Sequence, residues 1–146
     1  MSSSTIIDVY TDGACKRNPG PAGAGVVFLL PDGRKLHISR YLGRGTNNQA
    51  ELMAVKIALE TLQDDYREEH IVIHTDSQLV IGWLRDGWKV NTNKGLISET
   101  KRVLSRFMFM SFVKVKGHSG NPLNEEADHL AQEAALEVEV NTWSDQ

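Results

Sequence analysis

Four acids in this chain stand where acids are costly: Asp12, Glu51, Asp76 and Asp128. Asp12 and Asp76 fall at the ends of short apolar stretches that read as strands. Glu51 and Asp128 fall on the first turns of stretches that read as helices, on faces otherwise apolar. A carboxylate in such surroundings needs an opposite charge or a metal. No Lys or Arg stands directly beside any of the four in sequence. Gathered at one point, they would raise one another's pKa unless a cation held them ionised. Hard oxygen ligands, without Cys or a His pair, suit Mg2+ or Mn2+ rather than zinc. The chemistry expected is therefore metal-assisted. Each acid also has an ordinary structural alternative. Asp12-Gly13 reads as a turn, Asp76 or Ser77 as a helix cap, Asn48-x-x-Glu51 as a capping box, and Asp128 as a charge facing the positive end of its helix.

The elements that must position these acids follow from periodicity and turn chemistry. Residues 5–11 are short and rich in β-branched side chains, and read as a strand ending at Asp12-Gly13. Asn18-Pro19-Gly20-Pro21 is a rigid turn. Residues 25–30 and 35–42 read as a hairpin through Pro31-Asp32-Gly33, and residues 71–75 and 109–115 as two further strands. Helices are expected over 47–62, 78–85, 96–106 and 123–138. On the first of these, Glu51 shares a face with Val55, Ala58 and Leu62, so it points inward. The order β-β-β-α-β-α-α-β-α predicts an α/β fold, with a mixed sheet and helices on both faces. In such sheets sites form beyond the carboxyl ends of the parallel strands, which would bring Asp12 and Asp76 side by side.

Length predicts one domain over residues 1–146, with 1–4 and about 139–146 frayed. No signal-peptide pattern or membrane-length apolar run is visible, and Cys15 is the only cysteine, so a reducing cytoplasm is expected. Net charge is −3, which alone points away from nucleic acid. Its distribution points the other way: residues 85–116 carry eight basic and two acidic side chains, a net +6, which leaves −9 elsewhere. A protein so polarised can hold a polyanion on one face, although a solvated charged face would look the same.

The neighbours of the four acids carry more information than the acids do. Residues 10–25 (YTDGACKRNPGPAGAG), 46–54 (TNNQAELMA), 75–84 (TDSQLVIGWL), 86–89 (DGWK) and 115–131 (VKGHSGNPLNEEADHLA) resemble the type 1 ribonuclease H family in order and spacing. The resemblance implies the ribonuclease H-like fold, a five-stranded mixed sheet of order 3-2-1-4-5. It implies hydrolysis of the RNA strand of an RNA–DNA hybrid, giving 5′-phosphate and 3′-hydroxyl ends. By position, Asp12, Glu51, Asp76 and Asp128 become ligands of two Mg2+ ions about 4 Å apart, with Mn2+ as a substitute. His118 matches a mobile proton-transfer or product-release group. Gly13, Cys15, Asn18, Asn47, Asn48 and Gln78 match positions that approach the hybrid, where 2′-hydroxyls must be read across a wide minor groove. Arg44 and Thr46 match a DNA-phosphate site. Trp88 and Lys89 match a DNA-strand contact, and Trp88 reads equally as core. The resemblance implies no membrane association and no obligate protein partner, and a monomer is expected. At one place the chain departs from the pattern. Many members carry a basic helix between the motifs that contain Gln78 and Lys89, whereas ten residues separate them here, without a Lys-rich run. Weak, salt-sensitive substrate binding follows.

Overall fold

The computed structural model describes residues 5–116 and 120–144, with side chains as far as Leu136. Strands β1 (Ile6–Cys15), β2 (Gly20–Leu29), β3 (Lys35–Gly45), β4 (His70–Thr75) and β5 (Phe109–Lys114) form one sheet of order β3-β2-β1-β4-β5. The first three are antiparallel neighbours, while β4 runs parallel to both β1 and β5. This is the mixed sheet, and the strand order, that the sequence led us to expect.

One face of the sheet carries the core. Ile7 and Val9 of β1, Val26 and Phe28 of β2, and Ile71 and Ile73 of β4 are all buried. They pack against helix α1 (Asn47–Leu62), which buries Leu52, Val55 and Leu59. Helices α2 (Gln78–Leu84) and α3 (Lys94–Leu104) complete that layer with Val80, Ile81, Ile97 and Val103. Helix α4 (Pro122–Ser144) covers the opposite face over β2 and its neighbours. It lies unusually close. A Cβ on Gly25 would stand 2.0 Å from the Ala127 carbonyl oxygen, and one on Gly23 would stand 2.4 Å from that of Ala131. Small residues on both partners let the helix backbone settle onto the strand. Gly25 is the register partner of Asp12, so Asp12 shares this face and comes beside α4.

Four expectations change. The first strand does not stop at Asp12-Gly13 but runs on to Cys15, and β2 starts at Gly20 rather than residue 25. Gly20 and Pro21, expected in a turn, and Ala22–Ala24, given no element, belong to β2, which pairs Gly25 through Ala22 with Asp12 through Cys15. Small side chains there serve helix packing and mask the strand signal. Glu51 and Asp128 lie in the second turns of their helices, not the first. The cap of α1 is Thr46, which forms the capping box with Gln49, so Asn48 and Glu51 do not. Finally, α4 continues to Ser144 instead of ending near 138, since no Gly or Pro after Pro122 breaks it. Residues 1–4, 145 and 146 lie outside the described residues.

Candidate active site

Pairing between β1 and β4 ends at Tyr10 and His74, while β1 continues alongside β2. Two residues further on each strand come Asp12 and Asp76. They open into the gap where the parallel pair has ended, at the switch between antiparallel and parallel neighbours. Ser77, not Asp76, caps α2 by accepting a hydrogen bond from Val80 N–H at 3.1 Å. Asp76 is thereby left free of a capping role.

Glu51 reaches the same gap from α1. A glycine makes this possible: a Cβ on Gly13 would stand 2.3 Å from the backbone of both Ala50 and Glu51. The helix therefore lies against the strand, and the Gly13 N–H donates to Glu51 Oε1 at 2.6 Å and to Asp12 Oδ1 at 3.0 Å. The start of α1 is held by three further contacts. Thr46 and Gln49 cap reciprocally at 2.9 and 3.1 Å, Asn47 N–H donates to the Asn18 side chain at 3.0 Å, and the Gln49 amide donates to Asn93 at 3.2 Å.

Asp12, Glu51 and Asp76 each offer an oxygen within 4.8 Å of the others. Asp128 approaches from α4 and interacts with Asp12, while its Oδ2 accepts from the Gln132 amide at 2.9 Å. Among the described residues, none of the four is paired with a Lys or Arg. Burial pushes the Asp12 carboxyl up to about 7; the contact with Glu51 opposes this, while Asp128 and the charge of Asp76 add to it. Burial likewise raises Glu51 well above the ordinary carboxylate range, with Asp12 and Asp76 adding to the effect. Without a cation the cluster must hold protons at neutral pH. With one, oxygen-only donors at this spacing can satisfy a hard divalent ion. The donor set therefore fits a metal.

The remaining expected residues divide into two groups. Cys15, Asn18, Asn47 and Thr46 gather around the start of α1. The Cys15 thiol points at the Gly45 carbonyl at 3.0 Å. Cys15 and Asn47 also line a cleft of about 290 Å3 together with Ala14, Lys16 and Gln132. Arg44 is exposed beside a smaller cavity that Gln49 and Leu96 share. Asn48 and Gln78 are exposed at the starts of α1 and α2. Trp88 and Lys89 stand apart, exposed in the loop between α2 and α3. Trp88 is not core: 43% of it is exposed, and its ring lies on Gly82. His118 lies outside the described residues. Sequence reasoning passed over Gln49 and Gln132. Thr46-x-x-Gln49 was a readable capping box, and Asp128-x-x-x-Gln132 a readable pair at helical spacing.

A mixed sheet of this order, with three carboxylates converging at its switch point, defines a metal-dependent nuclease of the ribonuclease H-like fold. The family model "RNase H" matches residues 4–136, and the chain belongs to the ribonuclease H family. It is 39% identical to the ribonuclease H of Parvibaculum lavamentivorans, across 91% of this chain and 94% of that one. It is 40% identical to that of Aeromonas salmonicida, across 92% of each. Among solved structures, ribonuclease H1 of Halobacterium salinarum superposes with a TM-score of 0.78 at 35% identity, covering 88% of this chain and 96% of the other. LC11-RNase H1, crystallised with an RNA/DNA hybrid, superposes with a TM-score of 0.79 at 33% identity, covering 90% and 98%.

Proposed function

We propose that the chain is an endoribonuclease that hydrolyses the RNA strand of RNA–DNA hybrids, leaving 5′-phosphate and 3′-hydroxyl ends, with Asp12, Glu51, Asp76 and Asp128 holding two divalent ions, Mg2+ or Mn2+. The convergence of three carboxylate oxygens within 4.8 Å carries this reading. Bound there, the ions would activate water for in-line attack and stabilise the leaving oxygen. The protein's own part is positional. The Gly13 N–H aims Glu51, the strand register sets Asp12 level with Asp76, and the close seat of α4 on Gly23 and Gly25 brings Asp128 alongside.

The hybrid that LC11-RNase H1 binds supports the same substrate for this chain. The cleft beside the acids presents an uncharged thiol and amides at Cys15, Asn47 and Gln132, with Lys16 at its edge. Uncharged groups suit a search for 2′-hydroxyls better than a row of lysines does. The sequence around His118 supports proton transfer by its imidazole near the leaving group. All four acids come from one chain, which supports action as a monomer, and the lone free Cys15 suits a reducing cytoplasm. Among the described residues no helix is long and apolar enough to cross a membrane.

The test is a cleavage panel of labelled hybrid, duplex RNA, single-stranded RNA and duplex DNA, each with Mg2+, Mn2+ or EDTA. Only the hybrid with a divalent ion should be cut. Cleavage of duplex DNA, or cleavage in EDTA, would overturn the reading.

A further inference from the structure

Asp128 differs from the other three acids in how it is held. Asp12 and Glu51 are fixed by the Gly13 N–H, and Asp76 follows directly from the end of a buried strand. Asp128 lies outside the group of oxygens that approach within 4.8 Å of one another. It sits half-buried on α4, where a short carboxylate can take more than one rotamer. Besides its contact with Asp12, it accepts a hydrogen bond from the Gln132 side chain, one helical turn on, at 2.9 Å. Gln132 also lines the cleft shared with Cys15 and Asn47.

We propose that Gln132 is a positioning residue: its amide selects the Asp128 rotamer that meets a divalent ion at the cluster. The inference rests on Asp128 being a metal ligand. The chemistry of the amide suits the task. It donates a hydrogen bond without bringing positive charge, so it orients the carboxylate and leaves its full charge for the ion. A Lys or Arg there would compete with the cation. A Glu would set like charges at i and i+4 and push the carboxylate away. Gln132 occupies only one Asp128 oxygen, leaving the other for the cluster. The i,i+4 spacing makes the contact local to α4, so it persists whenever the helix is formed.

The test uses the full chain with Gln132→Met, which keeps length and helix propensity but removes the donor. Asp128→Asn and the double variant complete a cycle. Mn2+ binding to the free protein is followed by electron paramagnetic resonance. The Mg2+ concentration for half-maximal hybrid cleavage and the metal-free melting temperature are measured in parallel. Gln132→Met should weaken both metal midpoints by about threefold, the size of one partly exposed hydrogen bond. Its melting temperature should stay that of the parent. In the Asp128→Asn background the same substitution should shift nothing further. A lower melting temperature with unmoved metal midpoints would make the contact merely structural and overturn the proposal. A threefold shift that persists without the Asp128 carboxylate would also overturn it, by showing action through another group. Should Asp128→Asn itself move neither midpoint, the ligand assignment fails, and the inference with it.

Discussion

Asp12 and Glu51 share one backbone N–H, α1 leans on a glycine, and caps at Thr46 and Ser77 set where both flanking helices begin. Only a short helix away, the loop between α2 and α3 carries Trp88 and Lys89 at the surface. Of the basic residues from 85 to 116, Arg85 is spent on Asp86 at 2.7 Å and Arg106 on the Gln63 side-chain oxygen at 2.7 Å. Lys89, Lys94, Lys101 and Arg102 pair with no acid among the described residues. On α3 the stripe Ile97, Thr100, Val103 is buried, which turns Lys101 and Arg102 outward. One region is thus built from backbone contacts and tolerates no displacement. The other is built from long exposed cations on one helix and loop. Bond-breaking chemistry needs fixed oxygens, whereas a phosphate backbone can be held by charges that move.

The largest effects are expected at the acidic cluster. Asp12→Asn should lower kcat by at least about a thousandfold, since charge at the reacting centre is the largest catalytic contribution. Circular dichroism should show an unchanged fold. Because burial, with Asp128 and Asp76 beside it, makes the native carboxylate costly to ionise, the metal-free variant should gain on the order of 1 kcal/mol at about pH 8 in urea denaturation. A variant that is active, or a metal-free protein that loses stability, would mean the acids are not in conflict. Gly13→Ala tests the same rigidity through the backbone. Its new methyl meets main chain at 2.3 Å, so α1 must shift, at a cost on the order of 3 kcal/mol and with loss of Glu51 from the site.

Protonation distinguishes the two regions next. A carboxyl whose folded pKa exceeds its unfolded value keeps its proton longer in the native state. Its stabilising effect is present at low pH and fades as pH rises through the folded value. With Asp12 at about 7 instead of 3.8, the metal-free protein should lose roughly 2–3 kcal/mol between about pH 5 and about pH 8. Saturating Mg2+ should flatten that slope. A metal-free stability that instead rises across this window would contradict the raised Asp12 carboxyl.

The split between regions also governs what the sequence disclosed. The α1 boundaries and the inward face of Glu51 were legible from apolar periodicity, whereas the strand order came with the family resemblance. The continuation of β1 past Gly13 was not legible. Gly23 and Gly25 are glycine because α4 sits on them, and small residues placed for helix packing carry no strand signal of their own. The capping box was misplaced because Thr46-x-x-Gln49 and Asn48-x-x-Glu51 overlap, and only the fold shows which oxygen meets which N–H. Gln132 carries no signature of its own; its meaning comes from the acid one turn before it.

At the cationic surface the expected effects are smaller and lie in binding. Lys89→Ala and Lys101→Ala should each raise KM for the hybrid several-fold, leave kcat unchanged and lower the salt slope of binding by about one. Equal losses at low and high salt would show that these lysines do not meet phosphates.

Gly82→Ala makes the finest distinction, because it asks whether anything in the loop is fixed. A glycine inside α2 costs about 1 kcal/mol against alanine. Yet a Cβ there would stand 2.2 Å from the Trp88 ring, which lies against the glycine while Trp88 N–H bonds the Gly82 carbonyl at 3.0 Å. The helix forgoes a side chain to seat an indole whose other side is open to solvent. In Gly82→Ala the ring must lift away. Helix propensity and lost packing then nearly cancel, so denaturation midpoints should barely move. Tryptophan emission should shift to the red, and KM should rise about threefold at constant kcat if the seated ring stacks on the DNA strand. A red shift without a change in KM would show that Trp88 packs for the fold alone, leaving the exposed lysines as the only grip.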